Sequence, residues 1–358
     1  MTIKIGSSVR IHRYAIGISI ILFILFYIYA IREVSYLSSR FNNKQKFVSL
    51  RSLLKSSIKA SKLGGIEIAD VHNNYKNINI EIKGKTKEGI DDPVTIADYK
   101  SHCAMYNYLQ TMFPTINIIS EESKKNCDDV LSSSDAIIAE ETIVFDDDVD
   151  GYYDTSIDPD DITVWIDPLD ATKEFTENLL NYVTTMVCIA IKGVPIIGII
   201  HKPFGTSDDT YWAWPEHGYS KNLAAIKNSI VNDDNDDDDG GVVKPILIVS
   251  RSHAGEINNI SKNAIGDNVK IISAAGAGYK ALEVISGNAT AYVHNTLIKK
   301  WDICAGAAII TAMGGSVTSL TGQPLDNFGA KDNVSLDDGI LATMKHHNWY
   351  LDKFVKKY

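Results

Sequence analysis

The chain has 358 residues, a formal net charge of −10 at pH 7 and 45% hydrophobic residues. This length and composition are typical of a globular protein with one large domain or two ordinary ones. The acidic balance argues against a nucleic-acid polymer as a partner. Much of the acidic excess lies in residues 146–161 and 232–239, which lack apolar periodicity and which we interpret as loop insertions. Residues 232–239 also lack the glycine and terminal glutamate of an EF-hand loop.

An uncharged apolar stretch at residues 14–31 is long enough to span a bilayer. A cleaved signal peptide would have a shorter apolar core and a cleavage site of small residues. We therefore predict a short cytoplasmic tail at 1–13, a transmembrane signal anchor at 14–31 and a stem at 32–46. Basic residues flank the stretch on both sides, so charge alone leaves its orientation undecided.

Two features bear on the cellular compartment. Three glycosylation sequons favour a luminal catalytic domain, although such tripeptides are also frequent by chance; they begin at Asn259, Asn288 and Asn333. The four cysteines have no short paired spacing that indicates a zinc site or a disulfide scaffold; they are Cys103, Cys127, Cys188 and Cys304. A secretory location is compatible with this pattern even without bridges.

An octapeptide at residues 165–172 carries two aspartates three positions apart. An apolar strand-like run precedes it, and Pro168 fixes φ, so we predict a sharp turn. This turn would leave Asp167, the Leu169 carbonyl and Asp170 facing one point. Oxygen ligands alone favour Mg²⁺ or Ca²⁺ over zinc. The alternative is a strand-to-helix turn in which Asp170 or Thr172 caps the next helix.

Three more segments with acidic residues are candidates for the same site. Asp92 precedes a proline and a long helical stretch, Glu121 and Glu122 follow a short apolar strand, and Asp302 opens a helix. Each has a simpler interpretation when taken alone. Asp92 and Asp302 fit helix caps, and glutamates after a strand are common on protein surfaces.

The C-terminal part contains two candidate ligand-binding segments. Ser250 to His253 follow a predicted buried strand, and strand ends of this kind are where α/β proteins bind ligands. A glycine-rich turn at 276–278, followed by Lys280, permits close backbone approach to an anion. A G-x-G without a third glycine is a poor dinucleotide fingerprint, and a simple strand-to-helix turn fits equally well.

Three motifs follow one another along the chain: Glu-Glu after a strand, D-P-L-D-A-T, and K-K-W-D. In order and spacing they resemble those of the inositol monophosphatase superfamily of magnesium-dependent phosphatases. The resemblance covers about Phe41 to the C-terminus. T-K-E-F-T at 172–176, S-R-S-H at 250–253 and G-A-G-Y-K at 276–280 are similar to its adenosine 3',5'-bisphosphate nucleotidase branch. A departure is Ser120, which stands where many relatives have glycine before the glutamates.

The resemblance implies an α+β / α/β fold, a layered α-β-α-β-α sandwich behind the N-terminal transmembrane helix. It implies an N-terminal α+β metal-binding half at 47–242 and a C-terminal α/β nucleotide-binding half at 243–358, with the site between them. The implied ligands for two or three Mg²⁺ ions are Glu121, Asp167, Leu169, Asp170 and Asp302. Asp92 and Thr172 would orient and deprotonate the attacking water, with Asp92 accepting from the Thr172 hydroxyl. The implied substrate contacts are Ser250, His253, Gly276, Ala277, Gly278, Lys280 and Asp302.

The resemblance also implies an activity. We expect a lithium-sensitive phosphatase that converts adenosine 3',5'-bisphosphate to AMP and phosphate in the Golgi lumen, clearing a sulfotransferase by-product. It would be a single-pass type II membrane protein, and relatives are often homodimers. The alternative enzyme is an inositol (poly)phosphate phosphatase. The non-enzymatic alternative is a membrane-tethered acidic scaffold that binds Ca²⁺ through its aspartate runs.

Overall fold

The structure is a computed structural model. It describes residues 2–5, 9–12, 18, 21–29, 31–32, 47–74, 80–85, 91–122, 127, 149–151, 153–206, 209–232, 244–251, 257–266 and 268–355. The chain divides into two compact units, Met1–Val48 and Ser49–Tyr358. The acidic run at 232–239 falls largely outside the described residues, as does most of the predicted stem. Most of the run at 146–161 is described; it contains a short strand at Ser156–Ile157, and Asp154 accepts from Ser49 Oγ and Arg51 N, so this part is packed onto the fold rather than a free loop insertion.

The first unit contains a short antiparallel pair of strands, β1 (Thr2–Ile5) and β2 (Val9–His12). These strands lie in the segment predicted to be a tail. Residues 21–29 are helical and their apolar side chains are exposed. Among the described residues, no helix reaches the length and apolarity that crossing a membrane requires. The predicted anchor at 14–31 therefore stays a prediction.

The second unit contains the remaining elements, apart from the first residue of β3, which ends the first unit. Its helices are α1 (Leu50–Asn74), α2 (Ile96–Met112), α3 (Thr172–Thr176), α4 (Lys221–Asn232), α5 (Ile257–Ile265), α6 (Ala277–Ile285), α7 (Lys300–Ala312) and α8 (His347–Val355). The further strands are β3 (Val48–Ser49), β4 (Glu81–Lys85), β5 (Asp91–Val94), β6 (Asn117–Ser120), β7 (Ser156–Ile157), β8 (Ile162–Asp170), β9 (Thr184–Ile191), β10 (Val194–His201), β11 (Thr210–Trp214), β12 (Gly218–Tyr219), β13 (Ile246–Ser250), β14 (Lys270–Ala274), β15 (Ala291–His294), β16 (Ile298–Lys299), β17 (Ser316–Thr318), β18 (Ser335–Leu336) and β19 (Ile340–Thr343).

The larger sheet has six strands in the order β12-β11-β10-β9-β8-β6. Its strands pair antiparallel except β6, which runs parallel to β8. All nine residues of β8 are buried, because helices cover both faces of the sheet at this strand. The parallel pairing brings the carboxyl ends of β6 and β8 to the same edge of the sheet. Glu121 and Asp170 are therefore placed close to that edge.

The smaller sheet has five strands in the order β14-β13-β15-β19-β17. Its β14, β13 and β15 strands run parallel to one another, as expected for strands connected through helices. Two antiparallel strands, β19 and β17, complete the sheet. The carboxyl ends of β13 and β14 lead to Ser250 and to the glycine-rich turn.

The layers follow from which elements pack together. Helices α1 and α2 pack on each other and on the six-stranded sheet, whose other face contacts α7. Helices α6 and α7 pack together and also contact the five-stranded sheet, while α5 and α8 pack against that sheet and each other. The order is α-β-α-β-α, as the sequence resemblance implied. Ser49–Tyr358 form one compact unit, and the division into functional halves near residue 242 stays a prediction.

Candidate active site

Strand β8 ends at the predicted metal turn, but the backbone differs from the prediction. We expected a sharp turn after Ile166, whereas the strand continues through Asp170 and the left-handed residue is Ala171, with φ 70°. The pairing of β8 with β9 shifts register between Asp167 and Asp170. Such an irregularity redirects side chains at a strand end, so both aspartates can serve one site without a sharp turn.

Asp167 is a buried carboxylate at this edge, and the negative charges of three other carboxylates act on it. Its side chain is buried, and its Oδ1 has no hydrogen-bond partner among the described residues. Burial raises the pKa of Asp167 well above its usual range, and the charges of Glu121, Asp170 and Asp302 raise it further. The structure therefore brings these four predicted ligands into one interacting cluster.

Asp170 is held by the N-terminus of α6. Its Oδ1 accepts from Ala277 N at 3.1 Å, and its Oδ2 accepts from Gly278 N at 2.8 Å and from Thr184 Oγ1 at 3.1 Å. Burial raises the pKa of Asp170, while Lys280 and these donors act in the opposite direction. The anion that the glycine-rich turn approaches is thus the protein's own carboxylate. The direct substrate contacts predicted for these amides stay predictions.

The backbone conformation and close neighbours at positions 276 and 278 require glycine in this turn. The φ of Gly276 is +67°, and a Cβ there would lie 2.6 Å from Tyr182 O and 3.1 Å from Asp170 Oδ2. A Cβ at Gly278 would lie 2.5 Å from Thr184 Oγ1. Side chains at either position would therefore push α6 away from Asp170.

The glutamate pair after β6 binds a lysine that sequence reasoning missed. Lys83 on β4 lies 2.7 Å from Glu121 Oε1 and 2.5 Å from Glu122 Oε1. Burial alone would lower the pKa of Lys83, but the two glutamate charges outweigh it and raise the pKa. No local sequence signal marks this lysine, because it is 38 residues from Glu121.

Asp302 lies in the first turn of α7, as predicted. Its Oδ2 accepts from Lys299 N at 3.3 Å, which is the helix-capping role considered as the alternative. Burial raises the pKa of Asp302 well above its usual range, and Glu121 and Asp170 raise it further. Asp302 therefore caps α7 and also belongs to the carboxylate cluster.

The Thr172 hydroxyl has a different partner from the one predicted. Its Oγ1 donates to Asp98 Oδ1 at 2.8 Å, with the Leu169 carbonyl further away at 3.2 Å. Asp92 lies in β5, and its side chain is outside the described part of the structure. The carboxylate that accepts from Thr172 in the structure is therefore Asp98, and the catalytic role of Asp92 stays a prediction. Asp92 precedes α2, whereas Asp98 lies in its first turn, where the capping geometry holds the carboxylate.

Asp98 could have been found from the sequence through its capping box. Thr95 N and Thr95 Oγ1 both donate to Asp98 Oδ2 at 2.7 Å, and Thr95 in turn caps α2. Thr-x-x-Asp before an apolar helix is a start signal close to the usual Ser/Thr-x-x-Glu pattern. Burial raises the pKa of Asp98 to about 6, partly opposed by the Thr95 and Thr172 hydrogen bonds.

Two of the remaining predicted substrate residues, Ser250 and Lys280, lie in the described part of the chain. Ser250 ends β13 and is buried, and His253 is outside the described residues. Lys280 is buried, and its Nζ donates to Gly276 O at 2.6 Å. Burial lowers the pKa of Lys280 to about 8, while Asp170 and Asp302 oppose the shift. A role for these residues in substrate binding stays a prediction.

All four cysteines form disulfides, Cys103–Cys127 and Cys188–Cys304. Spacing gave no indication of them because the partners are 24 and 116 residues apart. Only the fold brings them together.

In the described part of the chain, one group of three metal-type ligand atoms lies within 4.8 Å of one another, that of His102, Cys103 and Cys127. Since its two sulfur atoms are joined, this group is not a thiolate site.

The donor chemistry of the carboxylate cluster suits a hard cation, although among the residues that the structure describes no three of its carboxylates have ligand oxygens within 4.8 Å of one another. Its donors are oxygens only, their charges repel one another, and one buried oxygen of Asp167 lacks a hydrogen-bond partner among the described residues. A divalent cation would remove the repulsion and supply that partner. Of the predicted ligand set, Glu121, Asp167, Asp170 and Asp302 interact through their charges, Leu169 lies between the two aspartates in the chain, and their role as metal ligands stays a prediction.

The layered fold and this acidic edge define a phosphatase of the inositol monophosphatase class. The model of the inositol monophosphatase family matches residues 49–357, and the chain belongs to this family, which confirms the sequence resemblance. Members of the family are metal-dependent phosphatases, typically with Mg²⁺.

Two groups of relatives carry different names. The chain is 41% identical over 360 residues to the putative inositol monophosphatase 3 of Drosophila melanogaster, covering 98% of this chain and 95% of the relative. It is 38% identical over 304 residues to the Golgi-resident adenosine 3',5'-bisphosphate 3'-phosphatase of Mus musculus, covering 83% and 79%. Among solved structures, the inositol monophosphatase from Anabaena matches with a TM-score of 0.57 at 18% identity, covering 86% of this chain and 96% of that one. This last similarity establishes the fold.

Proposed function

We propose that the protein hydrolyses the 3'-phosphate of adenosine 3',5'-bisphosphate, giving AMP and phosphate. The observation that carries the proposal is an aromatic pair beside the acidic site. Tyr182 and Tyr279 are partly buried, with ring centroids 4.9 Å apart in an edge-to-face arrangement. The name of the Golgi-resident mouse relative supports the same substrate.

The pair lies next to the residues that hold Asp170. A Cβ at Gly276 would be 2.6 Å from Tyr182 O, 3.1 Å from Asp170 Oδ2 and 3.4 Å from Tyr279 Cβ. A nucleoside whose phosphate lies at the carboxylate cluster would have its base near this pair. Base stacking on an aromatic side chain contributes about 1–3 kcal/mol. A cyclitol has no aromatic ring to use such a surface, so the pair favours a nucleotide.

The chain's own residues would move the proton of the attacking water. Bound Mg²⁺ would supply activation of that water and neutralise charge on the attacking and leaving oxygens. The residues that would hold it are Glu121, Asp167, Asp170 and Asp302, with the Leu169 carbonyl. We propose that two or three Mg²⁺ ions bind to these residues.

Thr172 and Asp98 form the proton-accepting pair in this proposal. The Thr172 hydroxyl has a single hydrogen, and the shorter of its two contacts is to the Asp98 carboxylate. Its oxygen can then accept the water proton while its own hydrogen passes to Asp98. A threonine without this carboxylate would be too weak a base at neutral pH.

The substrate test compares two classes of phosphate ester. The full-length protein is assayed with adenosine 3',5'-bisphosphate, inositol 1,4-bisphosphate and inositol monophosphate, with Mg²⁺ and with a chelator. We expect the highest kcat/KM with the nucleotide, and loss of activity with the chelator. Higher kcat/KM with either inositol compound would replace our proposal with the inositol phosphatase, which the name of the Drosophila relative favours.

We also propose a Golgi membrane location with the catalytic unit in the lumen. Three observations support it: a relative named as Golgi-resident, pairing of all four cysteines in disulfides, and exposure of the three sequon asparagines. Disulfides persist mainly in oxidising compartments. A glycosidase that increases electrophoretic mobility, together with protease protection in sealed vesicles, would support the location. Cleavage of the catalytic unit in intact vesicles would refute it.

A further inference from the structure

Helix α2 contacts the acidic edge through three consecutive side chains. Ser101 Oγ donates to Pro168 O at 2.6 Å, and His102 Nδ1 lies 2.8 Å from Ser120 Oγ. Cys103 forms the disulfide to Cys127. Successive residues point about 100° apart around a helix, so one turn of α2 reaches three different segments. These segments are the strand bearing both aspartates, the end of β6, and the chain after the glutamate pair.

We propose that the His102–Ser120 hydrogen bond and the Cys103–Cys127 disulfide together position the proposed metal ligand Glu121 and its neighbour Glu122. One link is attached immediately before the glutamates and the other five residues after them. The proposal rests on the proposed metal-dependent function, and it assigns positioning roles to residues that do not touch metal or substrate.

Burial strengthens the first link, the hydrogen bond between His102 and Ser120. His102 is 2% exposed and Ser120 is 1% exposed, so water does not compete for their hydrogen bond. Burial lowers the pKa of His102 to about 4, which keeps the imidazole neutral near pH 7. Removing one partner would leave the other polar group buried without its hydrogen bond, which disfavours this arrangement. The departure at Ser120 therefore has a structural role, since glycine offers no hydroxyl to His102.

The second link limits movement on the other side of the glutamates. Cys103 is fully buried in α2, so the disulfide ties the chain at Cys127 to a rigid helix. A third tie is the hydrogen bond from Glu121 N to Ile166 O at 3.2 Å on β8. With these restraints the backbone of the glutamate pair needs little reorganisation when a cation binds, and the cation would displace Lys83 from the carboxylate of Glu121. Outer-shell residues of this kind typically change metal affinity 10- to 100-fold.

The first test is Mn²⁺ binding by the full-length Ser120→Ala variant, followed by electron paramagnetic resonance of the free ion. We expect the Kd for Mn²⁺ to rise at least tenfold. The matched control is Ser220→Ala, which removes another buried serine, near β12 at the opposite edge of the six-stranded sheet. The melting temperatures of the two metal-free variants should fall by similar amounts. An equal Kd in Ser120→Ala and Ser220→Ala would overturn the proposal.

The second test separates positioning from general loss of stability. His102→Gln and the double variant His102→Gln/Ser120→Ala should bind Mn²⁺ no more weakly than Ser120→Ala alone, because both act through one link. The double variant Cys103→Ala/Cys127→Ala should weaken Mn²⁺ binding further; if it does not fold, the serine variants still decide. Additive effects of His102→Gln and Ser120→Ala would refute the shared link. A wild-type protein that binds no Mn²⁺ would refute the metal function itself.

Discussion

Replacing Asp98 by asparagine should lower kcat without lowering the free energy of unfolding. The pKa of Asp98 rises from 3.8 to about 6 on folding, so its ionised form is disfavoured in the folded protein by about 3 kcal/mol. Asparagine carries no charge and avoids this penalty. Its amide oxygen can still accept from Thr95 N and Thr95 Oγ1, the two bonds that complete the helix cap.

The same substitution removes the base. With the amide oxygen facing Thr95, the amide nitrogen faces Thr172 and can only donate, so the Thr172 hydrogen turns to the Leu169 carbonyl. We therefore expect Asp98→Asn to lower kcat by about 10²- to 10⁴-fold. The free energy of unfolding of the metal-free protein at pH 7 should stay the same or rise by up to about 3 kcal/mol.

The assays are initial-rate hydrolysis and urea denaturation of the metal-free protein. Thr95→Ala is the matched control, because it breaks the cap and leaves the Asp98–Thr172 contact. It should lower the free energy of unfolding by about 1 kcal/mol with a kcat close to wild type. A kcat within threefold of wild type in Asp98→Asn, or an equal loss in Thr95→Ala, would refute the assignment of Asp98 as base.

Three further predictions follow from the site and the core. Asp170→Asn should reduce kcat more than 100-fold and weaken Mn²⁺ binding, because it removes a charge at the centre of the cluster; unchanged binding by calorimetry would contradict this. Tyr279→Ala should raise KM for adenosine 3',5'-bisphosphate about tenfold, whereas Tyr279→Phe keeps the ring and should not; equal effects in initial-rate assays would exclude stacking. Burial lowers the pKa of His201 to about 4, below its unfolded value of 6.5, so the unfolded state binds the proton more readily and stability falls as pH falls from 6.5 to 4. His201→Gln should remove about 2 kcal/mol of the loss between pH 8 and pH 5 in urea denaturation, and an unchanged loss would refute it.

The sequence could predict those parts of the site that lie at the ends of recognisable elements. Asp167, Asp170 and Asp302 are next to a strand end or a helix start, and the local pattern marks both. Glu121 follows β6, and the parallel pairing of β6 with β8 brings it to the same edge. The layered fold followed from a resemblance rather than from periodicity, because its two sheets are assembled from segments far apart in the chain.

The contacts that the sequence did not reveal join segments with no common local pattern. Lys83 meets Glu121 across 38 residues, and Thr172 meets Asp98 across 74. Spacing can locate a carboxylate near a helix start, but only the fold selects the carboxylate that reaches a given hydroxyl. Asp92 precedes a proline and attracts attention in the sequence. Asp98 lies in the first turn of α2, where it accepts from Thr95 N and Thr95 Oγ1.

Helix α2 carries Asp98, which contacts Thr172, as well as His102, which contacts Ser120. Asp98 lies one turn before His102, so the same buried segment of α2 contains both the proposed base and the residue that contacts Ser120. A shift of α2 would therefore move Thr172's acceptor and the glutamate pair together. If this coupling holds, Ser120→Ala should lower kcat at saturating metal as well as metal affinity. A variant that loses affinity alone would mean that the glutamate side of the helix moves independently of Asp98.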